Sequence, residues 1–256
     1  MTSHPFLNAD WKQIFAKNNL ANFDALWDLK TEWFEEPNIR RGGWSGVVKI
    51  DLDIPEGKVG AFIKRQENHI TKTLLNPIKG RPTFEREFKN LLRLRKKNVP
   101  TLEPIYFSTR NLQAILITRE LEGYIPFDSE RFLSSGDMLK DKAHKDRLLQ
   151  SVADTLRLMH KHHFQHNCLY LKHIFIKSVD DGWDVKVIDL EKLKRTIFKR
   201  NAIFRDLYTL CRHAKGWPVK DQITFYRYYC QETKLSNKSK RLWKAIEKKI
   251  LLKKRN

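Results

Sequence analysis

The sequence predicts an α+β fold of two lobes, a small, mostly β N-terminal lobe followed by a larger, mostly α C-terminal lobe. Three observations predict it. The first half of the chain contains paired short runs of β-branched and other apolar residues, typical of strands, with one helical segment between them. Residues 144–163 then carry apolar side chains at helical spacing. Two more short apolar runs follow that helix, joined by a tight turn at 180–183.

The composition indicates a globular protein with a sizeable core, because 41% of the 256 residues are hydrophobic. No run approaches the roughly 20 apolar residues of a membrane-spanning helix, and the N-terminus lacks the pattern of a secretion signal. We therefore expect a cytoplasmic location. The three cysteines, Cys168, Cys211 and Cys230, are odd in number and lack CxxC spacing, which argues against a disulfide framework or a zinc site.

The net charge of +20 favours anionic partners, whether nucleic acid, an anionic membrane surface or a polyanionic substrate. Basic residues concentrate at 93–98, 192–200 and 248–256, although a solvated basic face explains each cluster equally well. The sequence has no RRM, KH, zinc-finger or helix-turn-helix signature, so nucleic acid is the least favoured partner.

The N-terminal lobe is predicted at residues 37–122, after a polar, aromatic-rich N-terminal extension at 1–36. A glycine-rich turn at 42–46 precedes a β-branched run. Glycines such as Gly43 and Gly46 would let backbone N–H groups approach phosphates, which makes the turn a candidate cofactor-binding loop. Because the pattern is weaker than G-x-G-x-x-G, an ordinary hairpin turn is the alternative.

Lys64 ends an alternating strand at 57–66 and is a candidate phosphate-binding residue. An ammonium in that position needs a carboxylate to hold it. Glu87, in the helix predicted at 83–97, is the first candidate and Glu85 the next. A lysine on a strand is otherwise simply exposed to solvent, so the role of Lys64 depends on this partner.

The remaining connections of this lobe complete the plan of strand, strand, helix, strand, strand. Residues 77–82 are predicted to form a loop that opens the helix. One face of that helix is predicted to contain Phe84, Phe88, Leu91, Leu92 and Arg95. Glu120 lies at the predicted boundary, 120–123, and is included among the cofactor-binding candidates. The C-terminal lobe is predicted at 123–256, with the catalytic loop and the substrate side.

The polar loop at 164–173 has a pattern used in phosphoryl transfer. In protein-kinase-like enzymes, a loop H-R-D-x-x-x-x-N precedes a hairpin that ends in a metal-binding Asp. His166 takes the His position, Cys168 the position of the catalytic Asp, and His173 that of the metal-binding Asn. Asp189 ends the hairpin and is predicted to bind Mg²⁺, with a turn-forming Asp as the alternative.

Cys168 is the main departure from this pattern. A thiol is a poor substitute for a carboxylate that positions a hydroxyl. It could act as a nucleophile only if His166 or a cation lowered its pKa. A small buried residue is the alternative.

Several segments together resemble the lipopolysaccharide kinase (Kdo/WaaP) family, and most closely its InaA-like branch. They occur in order between about residues 40 and 212 and include RGGWSGV, AFIKRQ, ITRELEGY, HNCLYLKHIF, VKVIDLEKLKR and FRDLYTL. Typical heptose kinases of the family carry N-H-R-D-x-Y-x-x-H in the catalytic loop. This chain keeps His166, Tyr170 and His173 but lacks the Asp.

The resemblance implies a two-lobed protein-kinase-like fold with ATP and Mg²⁺ in the cleft between the lobes. It implies phosphoryl transfer to a heptose or Kdo sugar of the lipopolysaccharide inner core. Lys64 would bind phosphate and Glu87 would hold it, Asp189 would bind metal with help from His173, and Asp206 would brace the catalytic loop. The partner would be lipopolysaccharide core or another polyanionic glycolipid, with contact to the inner membrane surface left open.

Three functions therefore compete. The first is an active sugar kinase. The second is a pseudokinase or stress-responsive nucleotide-binding module, because Cys168 replaces the catalytic Asp. The third, a nucleic-acid binder, rests on the charge alone.

Overall fold

The computed structural model describes residues 5–40, 42–73, 76–128 and 141–255. The chain divides into two compact units. The first contains the residues up to 93 together with 102–122, and the second contains 94–101 together with the residues from 123 onward. The assignment of nucleotide binding to the first unit and catalysis to the second stays a prediction.

The first unit is built on a sheet in which every neighbouring pair of strands is antiparallel. Its strand order is β1-β7-β8-β4-β3-β2. The strands are β1 (Phe6–Leu7), β2 (Trp33–Arg40), β3 (Gly43–Ile54), β4 (Gly57–Glu67), β7 (Pro104–Arg110) and β8 (Gln113–Arg119). β4 therefore lies inside the sheet between β3 and β8, and β2 begins within the predicted N-terminal extension.

The core of this unit lies on one face of the sheet and includes the N-terminal segment. Val48, Ala61 and Ile63 are fully buried there. Phe15 of helix α1 (Lys12–Lys17) and Leu26 of helix α2 (Phe23–Trp27) pack into the same cluster. A fully buried Val, Leu, Ile or Phe side chain contributes roughly 1.5–3 kcal/mol relative to exposure, so these short helices are held by packing and not by their own propensity.

A hairpin and a helix follow β4. The segment predicted as a loop is instead paired, because β5 (Ile70–Thr73) runs antiparallel to β6 (Asn76–Pro82). Helix α3 (Thr83–Arg95) begins directly after it. The predicted face of α3 is wrong at Leu92, which is 38% exposed, whereas Leu94 is fully buried.

The second unit is mostly helical. Its helices are α4 (Lys142–Lys161), α5 (Lys199–Arg212), α6 (Val219–Cys230) and α7 (Asn237–Arg255). Its short strands are β9 (Ile125–Pro126), β10 (Phe164–Gln165), β11 (Ile174–Val179), β12 (Gly182–Val187) and β13 (Lys194–Arg195). The predicted stripe of α4 is buried as expected, and the side chain of Asp141 caps the helix by accepting a hydrogen bond from Ala143 N.

Candidate active site

Lys64 and Glu87 form an ion pair in the first unit. The pairing of β4 with β3 and β8 sets Lys64 opposite Val47 and Leu116, and Lys64 Nζ lies 2.7 Å from Glu87 Oε1. Glu87 is only 2% exposed, and a carboxylate buried this far is tolerated when a cation compensates its charge. The pair fixes the ammonium group in one position, as the prediction required.

Gly43 and Gly46 lie in the first residues of β3, after the β2–β3 turn. Gly43 pairs with Arg40 across this turn, and Gly42 has a φ of +77°. A Cβ on Gly43 would overlap the backbone of Asn68, and one on Gly46 would lie 2.6 Å from the ring of Trp33. Close packing therefore accounts for both glycines, and their contact with a cofactor stays a prediction.

Glu120 forms an ion pair with Lys49 of β3. Its Oε1 lies 2.6 Å from Lys49 Nζ, and its backbone N–H donates to Gly60 O at 2.9 Å. The hydrogen bond with Glu120 raises the pKa of Lys49. A Cβ on Gly60 would overlap the Glu120 carboxylate, so Gly60 is needed for this contact, a requirement that the sequence interpretation missed.

In the second unit, Asp206 is hydrogen-bonded to the backbone of the loop that is predicted to be catalytic. It lies on α5, is fully buried, and accepts hydrogen bonds from the backbone N–H groups of His166 at 2.6 Å and Asn167 at 3.0 Å. His160 of α4 donates to the same carboxylate from Nε2 at 3.1 Å and contacts the Tyr229 hydroxyl through Nδ1 at 2.9 Å. Because a carboxylate only accepts hydrogen bonds, Nε2 of His160 carries a proton.

His166 is held as a neutral ring inside this loop. Its Nε2–H donates to the backbone carbonyl of Ile188 at 2.8 Å. Burial lowers the pKa of His166, although Asp206 opposes the shift. Nδ1 has no hydrogen-bond partner among the described residues. His166 therefore ties the loop to the segment that precedes Asp189.

Asp189 and His173 lie together at the end of the β11–β12 hairpin. Asp189 has a left-handed backbone (φ +58°) and a side chain that is 40% exposed. Its Oδ2 lies 3.4 Å from His173 Nδ1, which donates to the carbonyl of Cys168 at 2.7 Å. The hairpin register, with Ile174 opposite Val187, brings these residues together from separate segments.

The thiol of Cys168 is not activated. Its side chain is 9% exposed, and burial raises its pKa, with Asp189 adding to the shift and Lys192 opposing it. Near neutral pH the group is therefore a thiol, which neither accepts a proton as a carboxylate does nor acts as a strong nucleophile.

Asp189 and its surroundings fit a magnesium ion that takes most of its ligands from water and substrate. A carboxylate oxygen is the donor that Mg²⁺ prefers, and Mg²⁺ usually completes its shell with water and substrate phosphates. No cluster of three or more His, Cys, Asp or Glu side chains suited to a metal occurs within the described ranges. Because Nδ1 of His173 donates to a carbonyl, the predicted role of His173 as a ligand is restricted to Nε2.

Two features of this unit were missing from the sequence interpretation. One is the buried chain from Tyr229 through His160 to Asp206, and the other is the contact of Lys192 with the Cys168 thiol. A signal existed for His160, because it follows Leu156 by four residues on the buried stripe of α4.

The two units define a protein-kinase-like fold, in which a β-rich unit carries a Lys–Glu pair and a helical unit carries a braced loop and an Asp-ended hairpin. A solved structure of WaaP in complex with acyl carrier protein has this fold, with a TM-score of 0.68 and 20% sequence identity over 97% of this chain and 98% of that chain. The predicted fold class is thereby confirmed.

The model of the lipopolysaccharide kinase (Kdo/WaaP) family matches residues 24–229, and the chain belongs to that family. This chain is 28% identical to protein InaA of Escherichia coli (strain K12) over 211 residues, which cover 81% of this chain and 94% of InaA. Among the described residues, no helix is both long and apolar enough to cross a membrane.

Proposed function

We propose that this protein is a kinase that uses ATP and Mg²⁺ to phosphorylate a sugar hydroxyl of the lipopolysaccharide inner core, on heptose or Kdo. Membership of the lipopolysaccharide kinase family supports the class of substrate. The observation that carries the nucleotide-binding part is the Lys64–Glu87 ion pair at 2.7 Å, since a buried carboxylate that holds a lysine on a strand is the arrangement by which kinases bind nucleotide phosphates.

The proposed roles follow from the geometry of each unit. Lys64 binds phosphate oxygens and Glu87 keeps its ammonium in place. Asp189 holds Mg²⁺, which would neutralise charge that develops on the phosphates during transfer. His173, held by the Cys168 carbonyl, keeps its ring beside Asp189 in a contact of 3.4 Å between Nδ1 and Oδ2. Asp206 and His166 keep the loop in the conformation that this contact requires.

Nucleotide binding is the first test, and calorimetry with ATP in the presence and absence of Mg²⁺ measures it. We expect Lys64→Ala to lower the affinity about tenfold or more, because it removes a charge-assisted contact. Asp189→Ala should abolish the dependence on Mg²⁺. Lys58→Ala is the matched control, since Lys58 is an exposed lysine on the same strand. A wild type that binds no nucleotide would refute the proposal.

Phosphoryl transfer is tested separately with lipopolysaccharide core acceptors and labelled ATP. Transfer relies mainly on positioning and charge stabilisation, with little demand for a strong base, so we expect slow turnover despite Cys168. Transfer by wild type that does not exceed that of Asp189→Ala would exclude an active kinase.

A second candidate function is nucleotide binding without turnover. The raised pKa of Cys168 favours it, since the group at the catalytic position cannot accept a proton near neutral pH. Cys168→Asp restores a carboxylate there, and Cys168→Asn is the matched control without charge. A large gain in transfer for the Asp variant alone supports this function. Loss of activity in the Asp variant supports the active kinase.

The proposal includes a cytoplasmic location and a polyanionic glycolipid as partner, with contact to the inner membrane surface. The net charge of +20 supports such a partner, because a positive surface attracts clustered phosphates. Fractionation with and without salt wash, followed by immunodetection, distinguishes a peripheral protein from one that does not touch the membrane.

A further inference from the structure

The second unit contains a cavity of about 1380 Å³ that the proposed catalytic residues do not line. Its walls come mainly from α5, α6 and α7, and Gln165 of β10 contributes to the lining from the first residues of the polar loop at 164–173. Within the described part of the chain, His166, Cys168, His173 and Asp189 are absent from the lining. The cavity is therefore a separate feature of this unit.

The lining is strongly cationic. It includes seven lysine and arginine side chains, among them Lys199, Arg200 and Arg205 of α5 and Arg241 and Lys249 of α7. None of the seven forms an ion pair with a carboxylate in the ranges that the structure describes. Uncompensated like charges that converge on one space repel one another, and a bound polyanion would relieve that repulsion.

The carboxylate in the described lining, Glu232, is already occupied. It accepts hydrogen bonds from Ser236 N at 2.8 Å, from Ser236 Oγ at 3.0 Å and from Ser239 Oγ at 3.0 Å. The hydrogen bond from the Ser236 backbone leads the effects that lower the pKa of Glu232. These donors hold Glu232 at the start of α7, where its single negative charge faces seven positive ones in the described lining.

The cavity also has an ordered apolar wall. Tyr226 donates its hydroxyl proton to Ser239 O at 3.0 Å, and the Tyr229 hydroxyl contacts His160, so both hydroxyls are engaged within the protein. Lys249 Nζ lies 5.0 Å from the ring centroid of Phe204, a cation–π distance that positions this ammonium between α5 and α7. The site thus combines several exposed cations and the positioned ammonium of Lys249 with the buried rings of Tyr226 and Tyr229.

We propose that this cavity binds a ligand with several clustered phosphates, independently of the proposed kinase activity. Lysine and arginine form charge-assisted hydrogen bonds with phosphate oxygens. The volume exceeds the roughly 300–1,000 Å³ of ordinary small-molecule pockets, which suits a ligand with several such groups. The phosphates belong either to a soluble phosphorylated compound or to lipid headgroups.

Binding of inorganic triphosphate and binding to vesicles test the proposal and separate these sources. The vesicles contain phosphatidylglycerol with phosphatidylcholine, or phosphatidylcholine alone, at about 0.15 M salt, where distant charges are screened. The triple variant Lys199→Gln, Arg200→Gln, Arg241→Gln removes exposed cations of the lining. Lys215→Gln, Lys220→Gln, Lys234→Gln is the control, since it removes the same charge from exposed positions of the same unit outside the lining.

We expect the cavity variant to bind the effective probe about tenfold more weakly or worse, and the control variant to stay within about twofold of wild type. Triphosphate binding indicates a soluble ligand, and binding only to phosphatidylglycerol vesicles indicates headgroups. Equal losses in the two variants would show attraction by overall charge alone and would overturn the proposal. Failure of the wild type to bind either probe would overturn it as well.

A measurement on the unaltered chain removes any dependence on how the variants fold. Cys230 lines the cavity and is half-buried, whereas Cys168 and Cys211 are buried. The probe that binds should slow alkylation of Cys230 by a maleimide, read by mass spectrometry, and sodium chloride at equal ionic strength should not. Binding without protection of Cys230 would place the ligand elsewhere and reject this site.

Discussion

At the scale of single residues, the buried carboxylate of Asp206 holds the loop that is predicted to be catalytic. It joins α5 to the loop through two backbone N–H groups and to α4 through His160. Asp206→Asn places an amide against these donors and removes the charge they stabilise. A hydrogen bond to a charged group contributes about 1.5–3 kcal/mol, so we expect the free energy of unfolding, measured by urea denaturation, to fall by at least this amount.

Asp154→Asn is the matched control for this prediction. Asp154 pairs with Arg157 at 2.9 Å on the surface of α4, where both side chains are partly exposed. Such pairs contribute about 0–1 kcal/mol, and we expect a change within that range. Similar losses for the two variants would mean that Asp206 does not brace the loop.

His166 should make the stability depend on pH. Burial lowers its pKa below the ordinary 6.5, so the folded protein resists a proton that the unfolded chain accepts. This contribution is fully present above about pH 6.5 and is lost as the pH falls through the lowered pKa of the folded state. His166→Gln keeps a donor for the Ile188 carbonyl and removes the titration.

The measurement is the free energy of unfolding at pH values above and below 6.5. We expect the wild type to lose more stability on acidification than His166→Gln does. Other histidines titrate in both proteins, so the difference between the two isolates His166. Equal losses on acidification would contradict the lowered pKa.

The sequence allowed candidate residues to be selected within short motifs, but not residues whose partners lie far away along the chain. His166, His173 and Asp189 follow from the spacing of one loop and one hairpin. His160 and Tyr229, by contrast, are 69 residues apart and meet only because α4 and α6 pack together. Spacing carries no information about such a contact, because each side chain alone reads as an ordinary core residue.

At the scale of elements, strand β3 depends on close approach at its first residue. A Cβ on Gly43 would lie 2.5 Å from the Glu67 carbonyl oxygen, a backbone atom that cannot move aside as a flexible side chain would. Gly43→Ala should therefore lower the free energy of unfolding by about 1–3 kcal/mol, the usual cost of overpacking. Thermal and urea denaturation measure the change.

Ser45→Ala, two residues later on the same half-buried strand, is the control and should stay within about 0.5 kcal/mol. The comparison also bears on the predicted phosphate loop. If the Gly43→Ala variant is destabilised but its folded form still binds ATP normally, the glycine is required for packing. If the variant has normal stability but binds ATP more weakly, the glycine is required for nucleotide binding.

Element boundaries show where local patterns mislead. Pro77, Gly80 and Pro82 predicted a loop, yet Ile70 pairs with Pro82 and the segment forms β6. A two-stranded ladder leaves each strand with a free edge, where the missing N–H of proline is tolerated. The predicted buried face of α3 was wrong for another reason. Leu92 and Leu94 are equally apolar, and only the surrounding structure determines which of them is buried.

At the scale of the whole molecule, the net charge of +20 means that basic side chains repel one another across the protein, in addition to any pairwise contact. Helix α7 concentrates part of it, since Lys240, Lys244 and Lys248 are exposed, lie at successive i,i+4 positions and form no ion pair within the described chain. Like charges at this spacing destabilise a helix by about 0.2–0.5 kcal/mol per pair. Net charge far from zero adds a further, long-range penalty on the compact state.

The triple variant Lys240→Gln, Lys244→Gln, Lys248→Gln should therefore be more stable than wild type by about 0.5–1 kcal/mol at low ionic strength. The gain should disappear toward 1 M salt, where the Debye length falls to about 3 Å and exposed charges no longer interact. Replacement of the same residues by arginine keeps the charge and should leave the stability unchanged at every salt concentration. A gain that persists in high salt would show that propensity or packing, and not repulsion, governs α7, because neither depends on the screening of charge.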